Sequence, residues 1–538
     1  MNEFVPVKRA ILSVYDKSGI VELARQLLGF GVELISTGGT ATCLKDAGLP
    51  VTTVSELTGY PEIMEGRVKS LHPAIHGALL ALRDNEEHIK DMTQCDIAPI
   101  DLAIINLYPF ETVVLKASGD AALCCENIDI GGPAIIRAGA KNYRHVTVVV
   151  EPDDYSSLLQ ELEKYNGATS LNFRQYCAQN AFARTSAYDS QISNWIARRA
   201  GIQFPKRRTF SATLYKVLRY GENPHQKAQF YVSDSKSHAA LLPRQIQGKE
   251  LSFNNLLDTD AACRLIAEFP SNEGAACVIV KHTNPCGVAK KDTQVEAYNC
   301  ALRCDNQAAF GGIIAFNTPL NEETARQILK TFVEVVIAPG IEEGVECIFA
   351  EKPNIRLLLV NAGVAKTWQS ADADYVTNIA QISDGYLVQD EDIKTISEND
   401  LRNVTCRSAS ASEVADMLFA WKVAKHVASN AIVIARNQET YGIGAGQMSR
   451  IDAVRIASQK TLARLSIQKA SMLSQEDNGL VLASDAFFPF PDSLEEAAKI
   501  KVSSIIQPGG SQRDQEVIAA ANERNITMMF TGVRHFKH

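Results

Sequence analysis

The stretch AILSVYDKSGIVELARQLLGFGVELISTGGT, residues 10–40, contains one pattern twice: a short apolar run, a polar loop and the start of a helical segment. Ala10 to Val14 and Val32 to Ser36 have the composition of buried strands. Ile20 to Leu28 has apolar residues at helical spacing, and Thr40 to Ala47 predicts a second helix that ends before a Gly and a Pro. Strands that alternate with helices in this way predict an α/β fold with a mostly parallel sheet.

The alternation continues to about residue 150 and then gives way to a long helical region. Leu102 to Asn106 and Val146 to Val150 are further strand-like runs, whereas residues 153–199 are predicted to be almost wholly helical. The basic segment from Arg198 to Arg208, with its Gly and Pro, is typical of an exposed linker, and a nuclear-localisation signal is the alternative interpretation. The predicted domains are residues 1–200 and 201–538.

After residue 210 the alternation resumes, and two blocks resemble each other. In the first block, the strand-like run from Ala276 to Val280 leads into Lys281-His282. In the second, Ala431 to Ala435 leads to the glycine-rich stretch Gly442 to Gly446. Two blocks of a strand followed by a polar loop indicate a duplicated unit.

Composition excludes several classes of protein. The 538 residues correspond to about three or four folding units, and 46% apolar with 22% charged residues is typical of soluble globular proteins. The net charge of −8 disfavours nucleic acid as a partner, and no apolar run approaches the ~20 residues of a membrane helix. The first residues do not have the pattern of a signal peptide, and the twelve cysteines are scattered without a CxxC. We therefore expect a cytoplasmic protein that binds neither nucleic acid nor membrane.

Two loops have the composition of phosphate-binding sites. Ser13 to Gly19 and Ser36 to Thr40 each follow a predicted strand, and glycines, hydroxyls and helix N–H groups in such loops bind anions. Two such loops on one sheet predict a site for a phosphorylated small molecule. The alternative is that each loop is only a capped turn.

Three further patterns invite a cofactor or metal interpretation. The stretch Gly442 to Gly446 lacks the acidic residue of a dinucleotide site, so we interpret it as a tight turn before a helix at Ser449-Arg450. His72 and His76 have metal-ligand spacing, but Pro73 stands where the HExxH motif has Glu. The stretch Lys281 to Gly287 brings Lys, His and Asn to one turn without a second nearby cysteine for zinc, and a purely structural histidine is the alternative there.

Eleven motifs occur in one order along the whole chain: SVYDKSG, STGGT, RVKSLHPAIHG, NLYPF, IDIGGPAIIRAGAKN, RYGENPHQ, KHTNPCG, AFGG, GIGAGQMSR, SDAFFPF and RHFKH. Through these motifs the chain closely resembles the bifunctional AICAR transformylase/IMP cyclohydrolase family of purine biosynthesis. The resemblance implies formyl transfer from 10-formyltetrahydrofolate to the 5-amine of AICAR, followed by dehydrative ring closure of formyl-AICAR to IMP. It further implies an N-terminal methylglyoxal-synthase-like domain, two cytidine-deaminase-like subdomains without a catalytic metal, and a homodimer.

For formyl transfer, the resemblance implies that His282 is the base, that Lys281 stabilises the oxyanion or assists the leaving nitrogen, and that Asn430 orients the formyl group. Arg219 and Arg534 match phosphate-binding residues, and guanidinium groups suit phosphate oxygens. The remaining residues matched to substrate binding here are Tyr220, Phe310, Gly311, Arg450, Asp485 (on the folate side) and His538. The strand-like run Thr527 to Thr531 predicts that the last five residues are ordered. Glu334 stands where some relatives have Asp.

For ring closure, the resemblance implies a catalytic set of Lys69, Tyr108, Asp129 and Lys141. The residues matched to substrate binding are Ser13, Lys17, Ser36, Thr37, Gly38, Gly39, Thr40, Arg67, Ser70 and Asn106. Three competing interpretations are a zinc nucleoside deaminase, a non-enzymatic nucleotide-binding protein and a family member with only one active half. The first needs a His/Cys/Cys set with a nearby Glu, which is not found in the sequence.

Overall fold

The computed structural model describes residues 3–68, 70–117, 119–234, 243–360, 377–469 and 479–538. The chain divides into two compact units. Unit 1 comprises Met1–Thr213 and Tyr231–Ala239, and unit 2 comprises Leu214–Phe230 and Ala240–His538. The predicted domain boundary at residue 200 lies shortly before the end of the first segment.

Unit 1 is built on five parallel strands in the order β4-β3-β2-β5-β6. Its elements are β1 (Phe4–Pro6), β2 (Arg9–Val14), α1 (Ile20–Gly29), β3 (Glu33–Ser36), α2 (Gly38–Asp46), β4 (Thr52–Thr53), α3 (Val54–Thr58), α4 (Pro73–Leu80), α5 (Glu86–Gln94), β5 (Leu102–Asn106), α6 (Phe110–Lys116), α7 (Ala121–Glu126), α8 (Gly131–Lys141), β6 (Thr147–Val149), α9 (Tyr155–Lys164), β7 (Ala168–Ser170) and α10 (Leu171–Arg199). The predicted α/β fold is confirmed in this unit.

The prediction of an almost wholly helical region over residues 153–199 was wrong in one respect. The strand β7 separates α9 from α10 and pairs with β1 in an antiparallel two-stranded sheet. Asn166 and Gly167, with φ of 50° and 83°, leave the helical conformation and end α9. The prediction missed this break because β7 has only three residues.

The strands of unit 1 lie inside the unit, and their carboxyl ends carry the motif loops. All five residues of β5 are buried, as is typical of a parallel strand covered on both faces. The loops that follow β2, β3 and β5 leave the sheet at the same edge because the strands are parallel. The sheet therefore brings three motifs together that are distant in sequence.

Unit 2 contains a sheet of twelve strands in the order β10-β15-β14-β13-β11-β12-β20-β19-β21-β22-β23-β18. Before it, β8 (Ala212–Leu218) and β9 (Ala228–Ser233) form a two-stranded sheet. The first half of unit 2 consists of β10 (Arg244–Gln247), α11 (Phe253–Ile266), β11 (Ala275–Lys281), β12 (Asn284–Lys291), α12 (Gln294–Leu302), β13 (Ile313–Phe316), α13 (Glu322–Ile328), β14 (Val335–Ala338), α14 (Val345–Ala350) and β15 (Arg356–Leu359).

The second half repeats this order after a separate hairpin of β16 (Thr377–Ile382) and β17 (Gly385–Asp390). It consists of β18 (Arg402–Asn403), α15 (Ala411–Ala424), β19 (Ile432–Arg436), β20 (Glu439–Gly444), α16 (Arg450–Lys469), β21 (Leu480–Ser484), α17 (Asp492–Lys499), β22 (Val502–Gln507), α18 (Asp514–Glu523) and β23 (Thr527–Phe530). Each half therefore has a helix, an antiparallel hairpin and three helix–strand pairs, and β12 meets β20 where the halves join. The predicted duplication is confirmed.

The interpretation of Gly442 to Gly446 as a turn was wrong for its first residues. Gly442 and Gly444 belong to β20. A Cβ on Gly442 would lie 2.1 Å from the carbonyl oxygen of Ala457 in α16, so only glycine allows this helix to pack on the strand. Gly287 has the same relation to Ala301 in the first half, at 2.0 Å.

No helix among the described residues is long and apolar enough to cross a lipid bilayer. The cores of both units are instead formed by buried aliphatic side chains on the two faces of each sheet.

Acid should weaken unit 2 through Glu413. Burial alone would raise the pKa of this carboxyl, but hydrogen bonds from Ser503, the Ser410 backbone, Arg407 and Ser504 lower the pKa to about 2. Because this value lies below the ordinary 4.5, the carboxylate stabilises the fold above about pH 4.5 and loses that contribution as the pH falls toward 2.

We expect Glu413→Gln to lower the free energy of unfolding by about 2 kcal/mol at pH 7 and by much less near pH 2. Urea denaturation of both proteins between pH 2.5 and pH 7 measures this difference. A difference that does not change with pH would contradict the assignment.

Candidate active sites

The first candidate site lies in unit 1, where the loops after β2 and β3 meet. The hydroxyls of Ser13 and Thr37 are 2.7 Å apart, and the Thr40 hydroxyl is 3.0 Å from both the N and the O of Val14. Thr37 precedes α2 without capping it, so its side chain accepts no N–H group of the first turn. A helix start of this kind attracts an anion.

Lys17 adds a positive charge to this helix start. A Cβ on Gly39 would lie 3.9 Å from the Lys17 ammonium nitrogen, and Gly38 has a φ of 40°. Two other matched residues shape the loops instead of facing them. The Ser36 hydroxyl donates to the Leu12 carbonyl at 2.7 Å, and the Asn106 amide oxygen accepts the N–H of Tyr15 at 2.6 Å.

A further group lies close to these loops. Tyr108 follows β5 at the same edge of the sheet, and Asp129 and Ser70 lie at the start of α8. The Tyr108 ring centroid is 4.0 Å from that of Tyr15, and the hydrogen bond with Tyr15, followed by partial burial, raises the pKa of Tyr108. Asp129 accepts the N–H of Gly132, in the first turn of α8, at 2.8 Å. The Ser70 side chain is buried against the first residue of that helix.

Lys141 and Arg67, two other residues matched to ring closure, have different surroundings. Lys141 is exposed in the last turn of α8, a helix ~16 Å long that begins beside Asp129. The Arg67 guanidinium pairs with the Glu126 carboxylate. Lys69 lies outside the described residues. The roles of these three residues stay predictions.

The second candidate site lies in unit 2, at the turn between β11 and β12. Lys281 is the last residue of β11 and donates its ammonium to the carbonyl of Phe310 at 2.7 Å. His282 is exposed and, like Thr283, has a positive φ, so the strand has ended before the histidine. The Phe310 ring packs at a tilt against Phe332 with centroids 5.1 Å apart, and Gly311 follows with a φ of 74°.

The turn is joined to the loop after α15 and to the C-terminal tail. Asn284 accepts the Ala428 N–H at 2.8 Å through its amide oxygen. The Lys537 ammonium donates to the carbonyl of Thr283 at 3.3 Å, and the Lys537 carbonyl accepts the Ser429 N–H at 2.9 Å. Three segments that are far apart in sequence therefore form one hydrogen-bonded group.

Asn430 is oriented by Arg450, which is in turn held by Asp485. Arg450 donates to the Asn430 amide oxygen at 2.6 Å and to the Asp485 carboxylate at 2.5 Å. Asp485 is fully buried and also accepts the Ala431 N–H at 3.1 Å. The buried Asp485 carboxylate thus orients Arg450 and, through it, Asn430.

The tail is ordered, as the sequence predicts. His535 is 2% exposed, its ring centroid is 5.2 Å from that of Trp421, and its Nδ1 is 2.5 Å from the Asp392 carboxylate. Arg534 and His538 line a cavity of about 740 Å³ in unit 2.

Glu268 is a charged residue of the cavity wall that sequence analysis missed. It accepts from Lys425 and His426, each at 3.0 Å. Burial raises its pKa, but the hydrogen bond and charge of His426 and the charge of Lys425 prevail and lower the pKa to about 2. The carboxylate therefore stays ionised across the neutral pH range.

Arg219 and Tyr220 directly follow β8. Arg219 is exposed, and its guanidinium carbon is 5.7 Å from the Tyr220 ring centroid. Glu334 accepts from Arg356 at 2.9 Å and from Asn255 at 3.4 Å, so the structure assigns it an ion pair in unit 2.

Asp258 is a further residue that sequence analysis missed. Its carboxylate accepts the N–H groups of His282 and Thr283, at 3.3 and 2.7 Å. One sequence signal could have indicated this residue. A pattern occurs at Ser252 and again at Ser410, in which the third residue after Ser is Asn or Glu and the sixth is Asp.

One of the side chains considered as metal ligands has a structural role. His72 caps α4 by accepting the Ala74 N–H at 3.1 Å through Nδ1. Burial raises the pKa of the Cys286 thiol to about 12, so it is protonated at neutral pH. Within the described ranges, no group of three His, Cys, Asp or Glu side chains is arranged to hold a metal ion.

Known proteins resemble this chain over its entire length. The family model "AICARFT/IMPCHase bienzyme" matches residues 139–460, and "MGS-like domain" matches residues 19–134. The "Bifunctional purine biosynthesis protein PurH" of Cereibacter sphaeroides is 54% identical over 541 residues and that of Roseobacter denitrificans 52% over 539, with 100% of each chain covered. The protein of the same description from Rhizobium meliloti is 52% identical over 99% of this chain and 98% of its own.

A solved structure titled "Crystal structure of ForH" matches 35% of this chain and 97% of its own, with 34% identity and a TM-score of 0.31. The family assignment depends on the sequence matches: a family model that covers more than half of the chain, and relatives that are more than half identical over the full length. The chain therefore belongs to the AICARFT/IMPCHase bienzymes, which are the AICAR formyltransferases and IMP cyclohydrolases of purine biosynthesis.

Proposed function

We propose that the two reactions are divided between the units, with formyl transfer in unit 2 and ring closure in unit 1. The observation that carries this proposal is the grouping of side chains around the β11–β12 turn, the loop after α15 and the C-terminal tail. That group contains titratable side chains beside a cavity large enough for a nucleotide. The loops of unit 1, in contrast, offer a helix start and a lysine to a phosphate.

Formyl transfer requires a base because the AICAR amine is conjugated with its carboxamide and is a poor nucleophile. As the amine nitrogen bonds to the formyl carbon, the His282 imidazole takes the amine proton. The bond from the formyl carbon to N10 of the folate then breaks, and N10 leaves with a proton. The ammonium of Lys281, one residue away, stabilises the oxyanion or assists the leaving nitrogen.

The other groups of unit 2 position the two substrates. Asn430, held by Arg450, orients the formyl group, and its neighbour Asp485 keeps Arg450 in place. Arg534 and His538 bind the nucleotide phosphate from the tail, together with Arg219. The packed rings of Phe310 and Phe332 offer an aromatic surface for 10-formyltetrahydrofolate next to Lys281. Tyr220 and Gly311 also contact the substrates.

Ring closure needs mainly orientation. The carboxamide nitrogen of formyl-AICAR attacks the formyl carbon and water is lost, so holding the two groups together supplies much of the rate. The start of α2, with Lys17 and the hydroxyls of Ser13 and Thr37, binds the phosphate. Tyr108 and Asp129 act near the reacting groups. Lys69, Lys141, Arg67 and Ser70 belong to this site by resemblance.

We further propose that each half of unit 2 is a cytidine-deaminase-like subdomain that works without a catalytic metal. The repeated element order supports the subdomain assignment. We propose a homodimer in which the transformylase sites lie at the interface, and the exposed Tyr386 and Leu387 of the β16–β17 hairpin support an association surface. Twelve free cysteines agree with a cytoplasmic protein.

If ring closure takes place in unit 1, the N-terminal part should catalyse this reaction alone. We expect residues 1–200 to fold and to cyclise supplied formyl-AICAR, because the residues matched to ring closure all precede the end of α10. Circular dichroism checks folding, and the absorbance change on IMP formation measures activity. A folded but inactive fragment would contradict the division, and residues 201–538 serve as the reciprocal control for formyl transfer.

A further inference from the structure

One carboxylate outside the β11–β12 hairpin binds the turn that carries His282. Asp258, on α11, accepts the N–H groups of His282 at 3.3 Å and Thr283 at 2.7 Å, with one oxygen for each. Hydrogen bonds to an ionised carboxylate are stronger than those between neutral groups. The backbone of the turn is therefore tied to a helix that begins at a well-formed cap.

The second half of unit 2 contains the same arrangement. Asp416, on α15, accepts the N–H groups of Asn437 and Gln438, each at 2.7 Å. Both helices start with a capping box, Ser252 with Asn255 in the first half and Ser410 with Glu413 in the second. In each case the aspartate lies six positions after the capping serine.

Neither turn has the glycine that usually stands at its second position. A two-residue hairpin turn with positive φ at both positions favours Asn and Gly. Here the turns consist of His282 and Thr283, with φ of 52° and 60°, and of Asn437 and Gln438, with φ of 52° and 54°. A positive φ is especially unfavourable for a β-branched residue such as Thr283. The carboxylate offsets this cost by satisfying both N–H groups of the turn.

We propose that Asp258 is a positioning residue for formyl transfer: it fixes the backbone of the β11–β12 turn so that the His282 imidazole faces the AICAR amine. This inference rests on the proposed role of His282. Asp258 acts through the backbone and needs no contact with substrate. The turn of the second half carries no proposed catalytic group, so Asp416 makes the same bonds without a role in the reaction.

The hairpin keeps other supports when the carboxylate is lost. The Lys537 ammonium donates to the Thr283 carbonyl, and the Asn284 amide donates to the His282 carbonyl at 3.2 Å. The strands β11 and β12 also remain paired over seven residue pairs. Without Asp258 the turn therefore relaxes locally while the sheet persists.

The test compares Asp258→Asn with Asp416→Asn in the full-length chain. An amide has one acceptor where the turn presents two donors. For Asp258→Asn we expect kcat of formyl transfer to fall about 10- to 100-fold, KM for AICAR to change less than about 3-fold, and cyclisation of formyl-AICAR to stay unchanged. For Asp416→Asn we expect kcat within about 3-fold of wild type. We expect the melting temperatures of the two Asn variants to fall by similar amounts.

Two further variants separate the possible outcomes. In a His282→Ala background, Asp258→Asn should not lower the residual rate of formyl transfer further, since the positioned group is absent. If Asp258→Asn does not fold, Asp258→Glu replaces it, and its longer carboxylate should give an intermediate kcat. Wild-type kcat in the Asp258 variant, or an equal loss in both Asn variants, overturns the positioning role. Wild-type formyl transfer by His282→Ala would instead contradict the proposed role of His282, on which this inference rests.

Discussion

Replacing His282 with alanine should abolish formyl transfer and leave ring closure near the wild-type rate. The reaction requires removal of a proton from a weakly nucleophilic amine, and a positioned base contributes typically 10²–10⁴-fold to such a step. His282 is exposed at the turn, so its loss removes no buried contact and should not unfold unit 2. Incubation with AICAR and 10-formyltetrahydrofolate, with formyl-AICAR and IMP resolved by chromatography, measures the first activity.

The second activity of the same chain is the internal control. Cyclisation of supplied formyl-AICAR should proceed normally, since no residue matched to that step lies in unit 2. Partial recovery of formyl transfer by added imidazole would support loss of a base. Transformylase kinetics equal to wild type would exclude His282 from the mechanism.

Ending the chain at Val533 should eliminate detectable AICAR binding. The deletion removes Arg534 and His538 from the cavity, and it also removes the His535 N–H that donates to the Asp485 carbonyl at 3.1 Å. A single charge-assisted phosphate contact is worth roughly 1.5–3 kcal/mol. Arg534→Ala alone should therefore weaken AICAR binding about 10- to 100-fold while the rest of the tail keeps its contacts.

Isothermal titration with AICAR measures both effects. Arg402→Ala is the matched control, because Arg402 is also an exposed arginine over a phenylalanine ring: its guanidinium carbon is 5.7 Å from the Phe530 ring, compared with 4.2 Å from Arg534 to Phe536. Arg402 does not line the cavity, so its variant should bind AICAR normally. Normal affinity in the truncated chain would show that the tail is dispensable.

Local patterns predicted the elements of unit 1 accurately. The predicted strand from Ala10 to Val14 corresponds to β2, Arg9–Val14, and the predicted helix from Ile20 to Leu28 corresponds to α1, Ile20–Gly29. Both predictions succeeded because hydrophobic periodicity is a property of neighbouring residues and is readable without the fold. The helix after STGGT begins two residues earlier than predicted, at Gly38, since glycine at its first positions conceals the start.

Predictions that depended on distant partners were less successful. The glycines at 442 and 444 suggested a turn, whereas they lie in β20 because α16 packs closely against that strand. Lys141 and Asp129 belong to one motif, and their separation by the length of α8 is not visible in the motif; their roles stay predictions. In each case the deciding contact or separation is set by the three-dimensional path of the chain.

Residue patterns along the chain were enough to predict the fold class, a duplicated unit and, through the motifs, the family and its two reactions. The folded chain was needed to show which groups lie together: Lys537 donates to Thr283 across 254 positions, and Asp258 accepts from the His282 turn across 24. Periodicity and motif order are encoded locally, so they can be read along the chain. Hydrogen bonds between segments depend on sheet order and on helix packing, because those alone set the distance between residues remote in sequence.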